Sequence, residues 1–134
     1  MYLHVIGTRV GRVKVIFTLP KTIQRPGYIE QAPKEWPTEP LAYIEWYRRQ
    51  ASIADKTHGM YKISASYDTQ GRGQGSIISL SNIRQSCMLI PIFPKPQTPE
   101  AKKLENWTPD NVLDEATSFL INNFLDLYTF QTVW

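Results

Sequence analysis

Gly71, Gly73 and Gly75 lie in the stretch Asp68-Thr-Gln-Gly-Arg-Gly-Gln-Gly75, and glycines so spaced can wrap a phosphate. That chemistry needs the loop to join a strand to a helix, so that the helix N-terminus meets the anion. Here strand-like segments flank the loop on both sides and no Gly-Lys-Ser/Thr follows, so it reads as a hairpin tip with Arg72 at its apex. Asp110 and Asp114, with Glu115 beside them, stand four apart on one helical face, a spacing compatible with a two-metal site. Acids at a helix start also stabilise it by about 0.3–1 kcal/mol each, and this simpler role is preferred. The soft ligands His4, His58 and Cys87 are scattered without zinc-site spacing. Serines, histidines and acids occur without a nucleophile elbow. The pattern therefore assigns no catalytic residue, no metal and no cofactor.

Binding chemistry is better represented. Tyr43, Trp46, Tyr47, Tyr61 and Tyr67 crowd two neighbouring segments, with Arg12, Lys14, Arg48 and Arg49 as candidate neighbours. Exposed rings can stack bases while cations meet phosphates, or they can line a groove for a peptide. They can equally be core, covered by a neighbouring loop. If the partner is DNA, the candidate phosphate contacts are Arg12, Lys14, Arg48, Arg49, Arg72 and Arg84, and Tyr43, Trp46 and Tyr47 form the candidate aromatic surface. Charge distribution supports this set: residues 1–95 hold 13 Lys/Arg and 6 Asp/Glu, a net of +7, whereas residues 96–134 hold 2 and 6, a net of −4. The basic part can face a polyanion, and the acidic tail can shield it.

The elements that must position these residues are mostly strands. Arg9 to Leu19 alternates with period two, Val13, Val15, Phe17 and Leu19 on one side and Arg12, Lys14, Ile16 and Thr18 on the other, until Pro20 stops it. Residues 20–40 hold five of the ten prolines and read as a long loop. Further strands are expected at Leu41–Tyr47, Gly59–Tyr67, Ser76–Leu80 and Cys87–Phe93, with the fourth pairing back on the third. Residues 94–107 read as a Pro-rich linker. Thr108 and Pro109 then start a helix over about 109–121, with Val112, Leu113, Ala116, Phe119 and Leu120 on its apolar face. Leu127–Trp134 is β-prone and able to return to the sheet.

A length of 134 residues with 42% hydrophobic and 20% charged residues fits one folded domain and excludes a mostly disordered chain. One cysteine forbids an internal disulfide, no apolar run can span a bilayer, and the first residues lack signal-peptide character, so an intracellular protein is expected. The expected fold is mainly β (α+β): a small antiparallel five- to six-stranded partly open barrel or curled sheet with one C-terminal helix.

Several strings carry a family resemblance: Val13-Lys-Val-Ile-Phe-Thr-Leu-Pro20, Leu41-Ala-Tyr-Ile-Glu-Trp46, Gly59-Met-Tyr-Lys-Ile-Ser64, Ile83-Arg-Gln-Ser-Cys-Met-Leu-Ile-Pro91 and Trp107-Thr-Pro-Asp-Asn-Val-Leu113. Over residues 10–125 the chain resembles the C-terminal region of transposon-derived proteins of basidiomycete fungi, near the Kyakuja-Dileera-Zisupton and Plavaka type transposases. It departs from them at Tyr47-Arg48-Arg49 and at Met88. The resemblance implies an accessory module or relic, separate from an upstream nuclease core, with nuclear DNA or chromatin as partner. The alternative is a protein-interaction module that takes a peptide, another protein or the missing transposase core on an aromatic strand surface or a sheet edge.

Overall fold

In a computed structural model of the chain, which describes residues 9–122, the first alternating segment forms strand β1, Gly11–Phe17. It lies against β4, Leu41–Arg49, the longest strand and the spine of the sheet. On its other side β4 meets two strands in succession. Its first half pairs with β6, Gly75–Ser79, and its end pairs with β5, Tyr61–Ala65. The glycine-rich segment does make a hairpin tip, but β6 does not pair back on β5. Instead β5 and β6 lie along the same side of β4, and the segment between them leaves the sheet as a small ear. A bridge between Tyr67 and Gly73 closes it, and Gly71 (φ 75°) supplies the left-handed turn residue. The Asp68 carboxylate accepts hydrogen bonds from the backbone N–H of Gln70 and Arg72.

The sheet continues from β5 to β8, Ser118–Ile121, and then to β7, Leu89–Pro91. These six antiparallel strands curl into a half-barrel. A 3-10 helix at Pro99–Asn106 supplies the principal helical segment. Three local expectations need correction. Residues 20–40 contain a hairpin, β2 (Thr22–Arg25) and β3 (Tyr28–Gln31), because Pro26-Gly27, with Gly27 at φ 88°, makes the turn. The linker 94–107 contains the 3-10 helix. The helix expected over 109–121 is a single turn, α1 (Val112–Glu115), ended by extended Ala116. Phe119 and Ile121 then point inward two residues apart, as a strand demands; the short apolar run fits either period until a neighbouring strand is available. The segment Leu127–Trp134 lies outside the described residues, as does His4.

β1 carries the most consequential irregularity. Val13 pairs with Ile44 but Val15 pairs with Tyr43, so Lys14 is an extra residue in a β-bulge. Strict alternation fails there: Val13 lies on the Ile44 face and Val15 on the Tyr43 face. The inner, concave face is the one holding Tyr47, Ile63, Phe119 and Ile121, which with Ala116 form one core cluster; Leu41, Ala42 and Ile44 of β4 are buried as well. Tyr47 meets Phe119 edge to face with ring centroids 5.7 Å apart. Val112, Leu89, Cys87 and Trp107 pack around this cluster. Burial pushes the Cys87 thiol pKa up, which suits a packing role rather than a reactive one.

A candidate nucleic-acid interface

β4 presents its odd residues, Tyr43, Glu45 and Tyr47, to the inner face and its even residues to the other; on that side Ala42 and Ile44 are buried, and only Trp46 and Arg48 reach the outer surface. The two faces treat charge in opposite ways. Beside the core, the inner face opens into a cleft of about 210 Å³ lined by Arg12, Lys14, Glu45, Tyr47, Tyr67 and Asp114. Register sets Arg12 beside Glu45, and the bulge brings Lys14 to the same side. Arg12 donates to both carboxylate oxygens of Asp114 on α1, the second contact being 3.4 Å. Lys14 Nζ lies 3.4 Å from Glu45 Oε2. Two small residues make this possible. A Cβ on Gly73 would stand 3.1 Å from Glu45 Oε1, and one on Gly75 would meet the Tyr43 hydroxyl and the Ile44 carbonyl.

The electrostatics follow from the geometry. The Arg12 hydrogen bond holds the Asp114 carboxyl below its ordinary pKa and, in return, raises that of the guanidinium. Burial raises the Tyr47 phenol, and the positive charge of Arg12 opposes that shift. The two carboxylates of the cleft are each taken by a cation. Among the described residues no three His, Cys, Asp or Glu side chains converge.

The outer face of the lower sheet is built differently. Trp46 lies there with its indole N–H donating to Ser76 Oγ at 2.8 Å. The Arg9 guanidinium sits 4.3 Å from the centre of that ring. Gly11, opposite Trp46 in the register, lets the indole lie close; a Cβ there would be 3.0 Å from Trp46 Cε3. Arg48 follows two residues on and donates from Nε to Ser64 Oγ at 3.4 Å. Pairing adds Lys62 and Ser64 from β5 and Ser118 and Leu120 from β8 to this face. Gln50 extends it, hydrogen-bonded to Ser118 Oγ. Arg9, Arg48 and Lys62 are exposed, and none of them has a carboxylate partner among the described residues. No Asp or Glu from β4, β5 or β8 points to this side.

The structure thus divides the residues that sequence reasoning grouped. Arg12 and Lys14 meet in the inner cleft. Arg49, next to Arg48, necessarily points the other way and lies 6.0 Å from the Tyr61 ring. Arg72 is in the ear, 3.0 Å from Asp68. Arg84 is exposed between a short 3-10 helix (Leu80–Asn82) and β7, and joins neither group. Tyr47 is not a surface ring: it is 9% exposed and belongs to the core. Tyr43 is half-buried on the inner face. Of the aromatic set only Trp46 stands on the basic outer face. Arg9 and Lys62 were not singled out from sequence, although Lys62 alternates with Ile63 in a recognisable strand.

His58, the remaining described histidine, is a turn residue whose Nδ1 accepts from the Met60 N–H. No helix among the described residues is long and apolar enough to cross a membrane. Comparison with protein-family models, with curated proteins and with solved structures returns no match.

Proposed function

We propose that this chain is a non-catalytic β-rich accessory domain that engages DNA through its outer face. The observation that carries the reading is a sheet surface with Arg9, Arg48 and Lys62 and, among the described residues, no opposing carboxylate. Such a surface offers positive charge to phosphate oxygens, the contact that supplies most sequence-independent affinity. The resemblance to a transposase C-terminal region adds support, and it implies a nuclear site of action beside a separate nuclease core. Labelled DNA titrated at two salt concentrations tests the proposal. Binding is expected at low salt, weakening steeply as salt rises, and Arg48→Ala and Lys62→Ala reduce it. Absence of binding at low salt overturns it.

A second reading rests on the edge strand. Val13, Val15 and Ile16 of β1 are 43%, 49% and 55% exposed, and among the described residues β1 is paired on one side alone. An open apolar edge is a template for a partner strand. In that case hydrogen exchange at β1 slows when a protein partner is added, while DNA leaves it unchanged.

A further inference from the structure

Among the described residues Trp46 is the indole on the basic outer face, so its availability decides what form of DNA that face can take. Proteins that prefer single strands stack bases on open aromatic faces, whereas duplex binding without base readout needs cations alone. The Trp46 ring is only partly exposed. One side carries the Arg9 guanidinium, 4.3 Å from the ring centre. Gly11 lies close opposite it in the register, and the indole N–H is fixed by Ser76 at 2.8 Å. A base stacking on that side would have to displace Arg9, giving up a cation–π contact and a phosphate donor together. The guanidinium itself gains from the arrangement. Held over the ring, it keeps its N–H edge free for the paired donation that phosphate oxygens accept.

Resting on the DNA reading above, we infer that Arg9 stacked on Trp46 is a preorganised phosphate fork, and that the outer face selects duplex backbone over single strand. Arg9 is then a contact residue and Trp46 a positioning residue. Arg48, two residues along the strand from Trp46, and Lys62 on the adjacent strand complete a short row of cations. The higher axial charge density of the duplex favours it on this face, since no stacking energy compensates the single strand.

The test compares a labelled duplex with one of its separated strands, using the full chain across a salt series. The duplex is expected to bind more tightly at every salt concentration. Its log–log salt slope should be about −2.7, roughly 0.9 for each of three phosphates neutralised. Arg9→Ala should remove about one such increment from the slope. Arg9→Lys should keep the slope but weaken binding, because an ammonium lacks the planar fork. Trp46→Phe should weaken duplex binding less than Arg9→Ala and leave the slope intact. Tighter binding of the single strand, or improved single-strand binding by Arg9→Ala, overturns this inference while leaving DNA engagement standing. No binding of either form sinks both.

Discussion

The inner cleft and the outer face are both lined by arginine and lysine, yet only one of them presents net charge. In the cleft, Arg12 and Lys14 meet Asp114 and Glu45, which reach them from another element and from the neighbouring strand. On the outer face, Arg9 is supported by a ring and Arg48 by a serine hydroxyl. A cation beside an aromatic or a hydroxyl keeps its full charge, whereas one beside a carboxylate is neutralised at short range. Counting basic residues along the chain therefore overstates one surface and misses part of the other.

The sharpest way to separate the faces is to damage the inner one. Phe119→Ala should cost about 3–5 kcal/mol in urea unfolding, because that ring is fully buried against Tyr47 and leaves a cavity. DNA affinity of the fraction that remains folded should stay unchanged. Gly75→Ala should cost about 1–3 kcal/mol, since its Cβ would press on the Ile44 carbonyl, which cannot swing aside. Arg48→Ala with Lys62→Ala should do the reverse: the unfolding free energy stays within about 0.5 kcal/mol of the parent, as expected for exposed sites, while the salt slope shrinks by about 1.8.

Smaller effects refine the contrast. Lys14→Ala breaks a half-exposed ion pair and should cost about 0.2–1 kcal/mol, with little change in DNA binding. Asp114 gives the pH signature. Its folded pKa is depressed, so its contribution is fully present above the unfolded value, about 3.9, and is lost as pH falls through the lower folded value. Acid unfolding curves of Asp114→Asn should lack that component. The same variant releases Arg12, so DNA should bind slightly more tightly at low salt; an unchanged or weaker affinity would contradict the neutralisation described for the cleft.

Much of the architecture is legible in local sequence. The alternation at Leu41–Tyr47 and the glycines around Arg72 mark a strand and a turn correctly, because period and turn chemistry are properties of a few adjacent residues. The stretch from Val112 to Ile121 misleads for the same reason. Its apolar residues satisfy helical spacing locally, and only the edge of β5 gives Ser118–Ile121 a strand to join. The candidate interface was half visible: Trp46 and Arg48 stand two apart on a clear strand, while Arg9 precedes it by dozens of residues and reaches the indole only through the β1–β4 register.

By itself the amino-acid order determined that this chain is strand-rich, since composition, period two and turn residues act at short range. Tertiary structure alone decided which cations are cancelled. A one-residue bulge at Lys14 turns that side chain toward Glu45, and α1 brings Asp114 to Arg12. Charge neutralisation depends on distances of a few ångströms between residues far apart in the chain, and pairing register rather than sequence spacing sets those distances.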